Sequence, residues 1–78
     1  MRRDDWLAEF CKRLGLEPPG KEEVAALLDL AATAAHSSER TAAPLACWVA
    51  GRSGRPTAVL NEIAKEVAPA QETRSAPE

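Results

Sequence analysis

The sequence predicts an all-α protein, a small bundle of four short helices with a disordered C-terminal tail. Ala, the residue with the highest helix propensity, occurs 16 times, whereas Tyr is absent and Phe occurs once. Strands favour β-branched and aromatic residues, and aromatic residues make up only 4% of the chain. Apolar residues also recur at spacings of three and four, the repeat of a helix with one buried face. A chain of 78 residues provides one domain, which we place at residues 1–68.

The first predicted helix has one apolar stripe and a signal at each end. Asp4 or Asp5 is suited to cap its start, because a carboxylate accepts hydrogen bonds from the unpaired N–H groups there. Gly15 suits the left-handed position that follows a last helical turn. The stripe, which we expect to face the core, consists of Trp6, Leu7, Phe10, Cys11 and Leu14.

Two prolines, Pro18 and Pro19, separate this helix from the second one, because proline disfavours helical backbone in the residue before it. We predict the second helix from Lys21 to Ala35. Its main apolar face consists of Val24, Leu27, Leu28, Ala31 and Ala35. Leu30 lies off that face, which indicates a central helix with neighbours on two sides.

The third and fourth helices each begin near a proline, which is tolerated in a first turn because the missing N–H would have no partner there. We predict the third helix from Ala42 or Ala43 to Arg52, and the fourth from Pro56 onward. One face of the third helix carries Leu45, Trp48, Val49 and Arg52, and another carries the small residues Ala43, Cys47, Ala50 and Gly51. The small side chains allow a neighbouring helix to approach closely. The inward face of the fourth helix consists of Val59, Leu60, Ile63, Ala64 and Val67.

Residues 69–78 contain no large apolar side chain, so no burial offsets the entropy that ordering them would cost. We therefore predict the disordered tail there. The short connections make sequential helices antiparallel neighbours, and an up-down bundle is the simplest arrangement. An orthogonal packing stays open, because the helices are short and their apolar faces are wide.

Charge and hydropathy exclude several classes of protein. The net charge of −2 argues against a nucleic-acid or anionic-membrane binder, since both need a basic excess. Asp29, His36 and Arg52 interrupt the apolar stretches, so we expect no membrane span. Arg2 and Arg3 lead into acidic residues rather than an apolar run, so we expect no export signal and a cytoplasmic location.

His36 and Arg40 are the first candidates for a functional site. Arginine donates two parallel hydrogen bonds to a phosphate, and the start of the third helix would add backbone N–H groups, so one interpretation is an anion or nucleotide contact. The simpler interpretation is that His36 ends the second helix, favourably for its dipole, while Arg40 pairs with Asp4, Asp5 or Glu39. We favour the simpler one, because no glycine-rich loop accompanies the pair.

The remaining candidates have structural explanations. Cys11 and Cys47 lie on apolar or small-residue faces, so we expect buried, reduced thiols and no metal site. Trp6 and Trp48 could stack on a pterin or nucleobase, but we expect them to anchor the small core. Adjacent carboxylates occur only at helix starts, where capping explains them. Because no nucleophile–base–orienter set is present, we expect neither an enzyme nor a bound cofactor.

Three stretches, taken in order, carry a family resemblance: residues 5–16, residues 28–36 and residues 39–51, the last containing Ala42-Ala43-Pro44-Leu45. They resemble a small, uncharacterised bacterial helical domain family, over about residues 4–68. Members of that family occur alone or fused to the C-terminus of molybdenum cofactor guanylyltransferases, often beside genes for formate dehydrogenase maturation. His36, Arg40 and Pro44 match its recurring segment and are our candidates for ligand or partner binding.

The resemblance implies a non-enzymatic accessory domain in the biosynthesis or insertion of molybdopterin guanine dinucleotide. Its expected partner is a protein, and the candidate is a molybdenum cofactor guanylyltransferase. Two alternatives stay open, a direct binder of an anionic pterin or nucleotide, and a structural module that associates with itself as a homodimer.

Overall fold

The structure is a computed structural model, and it describes the backbone of residues 1–75 and the side chains of residues 1–67. The described backbone contains four helices and no strand, which confirms the predicted all-α class. The helices are α1 (Arg3–Leu14), α2 (Lys21–Ser37), α3 (Ala42–Ser53) and α4 (Thr57–Ser75). The predicted starts of α2 and α3 are correct. The tail predicted at residues 69–78 overlaps the end of α4 at residues 69–75, and residues 76–78 lie outside the described residues, so the tail stays a prediction.

The prediction for the C-terminal end of α1 is correct, and the prediction for its N-terminal end is wrong. Gly15 has a φ of 72°, and the N–H groups of Gly15 and Leu16 donate to the carbonyls of Lys12 and Cys11, over 3.2 and 2.9 Å. This is the predicted left-handed helix end. At the start, however, no side chain caps the helix. Asp4 lies inside the first turn, where its carboxylate accepts from the Arg3 guanidinium and favours the positive end of the helix dipole.

Helix α2 is the centre of the fold, because both α3 and α4 pack against it. Its Leu30, only 5% exposed, and Ala50 of α3 are the buried apolar residues among those described. The prediction of a central helix with neighbours on two sides is therefore confirmed. Most of the predicted small-residue face of α3 lies toward its neighbours, since Ala43 and Cys47 are half-buried and Ala50 is buried. Gly51, the fourth residue of that face, is exposed.

Polar contacts hold α4 against α2. The side-chain amide of Asn61 donates to the Ala26 carbonyl over 3.1 Å, and the Thr57 hydroxyl donates to the carboxylate of Glu23. Thr57 and Asn61 are buried. The predicted inward face of α4 is wrong in part, because Leu60 and Ala64 are half-buried whereas Val59, Ile63 and Val67 are exposed. The physical reason is that the two polar side chains, not the valines and isoleucine, turn toward α2.

Helix α1 lies outside this three-helix assembly and contributes no buried residue. Its Leu7 lines a cleft with Val24 and Leu28 of α2. Trp6 and Phe10 stack on one another with ring centroids 5.0 Å apart, and each remains about half exposed, at 53% and 49%. The prediction that Trp6 anchors the core is therefore wrong, because α1 touches α2 along a different side from the one that carries the aromatic rings.

Candidate functional site: the outer face of α3

One side of α3 carries side chains that point away from the rest of the fold. Pro44, Leu45, Trp48 and Arg52 recur at helical spacing and are all exposed, and we call this set the outer face of α3. It lies roughly opposite the small residues that approach α2. Leu45 is 66% exposed and Trp48 is 64% exposed. A continuous exposed apolar surface of this kind is typical of a binding site.

Trp48 is the largest side chain of the outer face and is partly ordered by its neighbour. The Arg52 guanidinium lies over the indole ring, 5.0 Å from its centroid, which is the geometry of a cation–π contact. The prediction that Trp48 anchors the core is wrong. Since the small side of α3 provides the close contact with α2, a residue half a helical turn away faces solvent.

The three residues predicted from the family resemblance lie at the end of α2 and the start of α3, and all three are exposed. His36 lies in the last turn of α2, where a cation is favoured by the helix dipole. Arg40 and Pro44 line a shallow depression together with Glu39 and Thr41. His36 does not line it, so the structure brings together two of the three predicted residues.

Arg40 does not form the ion pair that the simpler interpretation predicted. Among the described side chains, the ion pairs are Arg3–Asp4 and Arg13–Glu9, both within α1 and both exposed. Within the described residues, none of the predicted partners Asp4, Asp5 and Glu39 forms an ion pair with the Arg40 guanidinium. It lies one turn before Pro44, so its five N–H donors are available at the N-terminal end of the outer face.

The cysteines lie apart from the outer face. Cys11 and Cys47 are both free thiols and half-buried, less enclosed than the sequence predicts. Within the residues that the structure describes, no three histidine, cysteine or acidic side chains come close enough to hold a metal ion. Over the same residues, no helix combines the length and the apolar character needed to cross a membrane.

The sequence contained a signal for the outer face that our prediction did not use. A helix whose small residues gather on one side approaches its neighbour with that side, which leaves the opposite residues to solvent. Ala43, Cys47 and Ala50 marked the inner side of α3. Leu45 and Trp48 could therefore have been predicted as surface residues.

The fold and the site define a small all-α domain that presents an exposed tryptophan, arginine and leucine along one helix. The chain belongs to the family described as domain of unknown function DUF6457, which matches residues 1–77. This assignment confirms the expectation of an uncharacterised domain family. No curated protein and no solved structure matches the sequence.

Proposed function

We propose that this chain is a non-enzymatic interaction domain that binds a partner protein through the outer face of α3. We further propose that the partner is a molybdenum cofactor guanylyltransferase, so that the domain assists the biosynthesis or insertion of molybdopterin guanine dinucleotide. The observation that carries the first part is the exposure of Trp48 beside Leu45 and Arg52. The second part is supported by the resemblance of the stretches that end in residues 39–51.

The residue types of the outer face suit a protein partner. Tryptophan and arginine are enriched among the residues that contribute most to protein–protein binding, near the centre of an interface. At 64% exposure, Trp48 offers about 130 Å² of surface, and burying it would contribute about 3 kcal/mol before the entropic cost of association. Leu45 adds an adjacent apolar contact. Because Arg52 already restrains the indole, less side-chain entropy is lost on binding.

Arg40 fits the same proposal as the charged end of the surface. A guanylyltransferase handles an anionic pterin and a guanine nucleotide. In a complex that covers the outer face, the Arg40 guanidinium, which forms no ion pair with a described side chain, would lie at its N-terminal edge, where it can bind a phosphate group of the partner's cofactor. His36 lies in the last turn of α2, just before the connection to α3, and would be close to the same edge.

The test is a titration of the purified chain against the purified guanylyltransferase by calorimetry, at micromolar concentrations. We expect a complex, and we expect Trp48→Ala to weaken it by about 30-fold or more, the loss of about 2 kcal/mol typical of a central interface residue. Leu45→Ala and Leu16→Ala form a matched pair, because the two leucines are similarly exposed, at 66% and 63%, but only Leu45 lies on the outer face, so only Leu45→Ala should also weaken the complex. No association at these concentrations would overturn the choice of partner, and equal losses for the two leucine variants would overturn the choice of surface.

A second candidate function, direct binding of an anionic pterin or nucleotide, is favoured by one observation. Arg40 and Pro44 line a depression at the start of α3. Glu39 lines the same depression, and its carboxylate opposes an anion, so we rank this function second. It predicts that molybdopterin or a guanine nucleotide raises the melting temperature and that Arg40→Ala abolishes the rise. A rise that survives Arg40→Ala would exclude this site.

A further inference from the structure

A groove runs between α3 and α4, on the side of α2 that both helices contact. Its volume is about 400 Å³. Leu30 and Ala50 form its floor, and Val49 of α3 with Ile63 and Val67 of α4 form its rims. The floor is buried but the three rim side chains are exposed. The groove therefore resembles a helix-binding site whose apolar walls are only partly covered.

The exposed stripe of α1 has the complementary property. Trp6, Phe10 and Leu14 recur every four residues and are each about half exposed. On the helix, Trp6 and Phe10 point about 100° and 60° away from Leu7, which faces the cleft against α2. Leu14 points close to the direction of Leu7 but lies two turns further along. The stripe thus remains accessible while α1 keeps its contact with its own α2. Large side chains on α1 match the small ones, such as Ala46, that line the groove.

We propose that the groove between α3 and α4 binds the α1 stripe of a second copy of this chain. The lengths agree, since α1 and the α3 wall of the groove each contain 12 residues, about 18 Å of helix. In a two-fold symmetric dimer each copy gives one α1 and accepts one, so both stripes and both grooves are covered. This inference concerns a different surface from the outer face of α3.

The chain's own α1 is the other helix that could fill the groove, and its position disfavours it. Helix α1 contacts the side of α2 that carries Val24 and Leu28. The groove lies along the side that carries Leu30 and Ala34. At 100° per residue, the full sets of α2 residues that line the cleft and the groove point about half a turn apart. They are Lys21, Val24, Ala25 and Leu28 at the cleft, and Leu30, Thr33, Ala34 and Ser37 at the groove. To reach its own groove, α1 would have to leave its cleft and cross to the far side of α2, whereas a second copy approaches the groove directly from solvent.

The surface available is enough for a stable dimer. A fully exposed aromatic side chain has about 200 Å² of surface and an aliphatic one about 100 Å². Because the side chains of the stripe and the rims are each about half exposed, they offer roughly 400 Å² of apolar surface per contact and roughly 800 Å² over the two contacts. Homodimer interfaces are about 65% apolar, so the total area buried would be about 1,200 Å². That value reaches the range of specific protein–protein interfaces, about 1,200–2,000 Å².

The first test measures the mass of the full chain in solution by sedimentation equilibrium, from micromolar to near-millimolar concentration. We expect the unsubstituted chain to reach twice its mass of 8.4 kDa. Phe10→Asp on the stripe and Ile63→Glu on the groove rim should each leave a monomer. Val59→Glu is the matched control, because Val59 is an exposed β-branched residue of α4 that does not line the groove, and it should still dimerise. Far-UV circular dichroism checks that each variant stays helical. If Phe10→Asp loses its helical structure, Leu14→Asp takes its place.

The second test mixes the two defective variants. An equimolar mixture of Phe10→Asp and Ile63→Glu contains intact α1 stripes on one variant and intact grooves on the other. We expect the mixture to recover dimers in which one of the two contacts is restored. Pairing of α1 with α1 would instead leave Ile63→Glu dimeric on its own, and mixing would give no gain, because each mixed pair then includes one aspartate.

A third measurement follows the stripe directly. Trp48→Phe leaves Trp6 as the only tryptophan, and we expect its emission to shift to shorter wavelength as concentration rises. Three results would overturn the proposal: a monomer at all concentrations, dimerisation that Ile63→Glu does not weaken, or no recovery in the mixture. A protein that dimerises as proposed but ignores the guanylyltransferase would overturn only the proposed function, so the two failures are distinguishable.

Discussion

Leu30 and Leu28 provide a direct test of how the fold is stabilised. The two leucines lie on the same helix, but Leu30 is 5% exposed and Leu28 is 53% exposed. Removing a buried leucine side chain costs about 2–5 kcal/mol, because both the transfer free energy and the packing around the side chain are lost. A 78-residue domain has a free energy of unfolding of about 4–12 kcal/mol. Leu30→Ala therefore removes a large share of the total stability.

The expected changes can be read from thermal unfolding followed by circular dichroism. For a domain of this size, 1 kcal/mol shifts the melting temperature by about 4–8 °C. Leu30→Ala should lower it by at least about 10 °C, whereas Leu28→Ala, which removes a side chain that is already half in water, should cost less than half as much. Protein concentration must be held equal for both variants, because association would shift both values. Equal destabilisation by the two substitutions would refute the assignment of Leu30 as the centre of the core.

Further predictions concern single contacts, each measured as the free energy of unfolding in urea. Gly15→Ala should cost about 1 kcal/mol, because the φ of 72° disfavours any side chain although the space around the glycine is open. Asn61→Leu should change stability by less than about 1 kcal/mol, because it removes the hydrogen bond to Ala26 together with a buried oxygen that lacks a partner among the described residues. Asn61→Asp should cost more, because it buries a charge. Arg52→Ala should cost about 0.5–1 kcal/mol, the strength of an exposed cation–π contact, and should change the Trp48 fluorescence.

The sequence was sufficient to predict the helices, because each boundary has a local cause. Gly15 ends α1 through its own backbone conformation. The prolines before α2 and at the start of α3 act on the residues beside them. Such signals require no knowledge of the neighbouring helices, and the observed bounds of α2 and α3 and the start of α4 agree with the predicted ones to within two residues. Helix α4 runs to Ser75, beyond residue 68, where we placed the end of the domain.

The distribution of exposed and buried side chains could be predicted less well, because it depends on which helices meet. The pattern of α1 predicted a buried stripe, but a stripe becomes buried only when another helix covers it. Trp6 and Trp48 were assigned to the core because they lie on apolar stripes and because a small core needs bulky side chains. Leu30 was correctly singled out, since an apolar residue off the main face of a helix indicates a second neighbour.

The candidate site could be predicted only in part for a related reason. Arg40 and Pro44 do lie together at the start of α3. Leu45 and Trp48 follow along α3 and are exposed. Their exposure follows from the packing of the small side of α3 against α2. The spacing of residues determines which side chains share a face. It does not determine which face meets solvent.

The position of α1 has a consequence for how the chain unfolds. A 12-residue helix is marginal in water, because nucleating it costs more than so few backbone hydrogen bonds return. Helix α1 buries no residue within one copy of the chain, so it should open separately from α2, α3 and α4. Its backbone amides should exchange with deuterium much faster than those around Leu30. Any partner that covers α1 would therefore slow this exchange selectively, and the amides of α1 would act as a local sensor of binding.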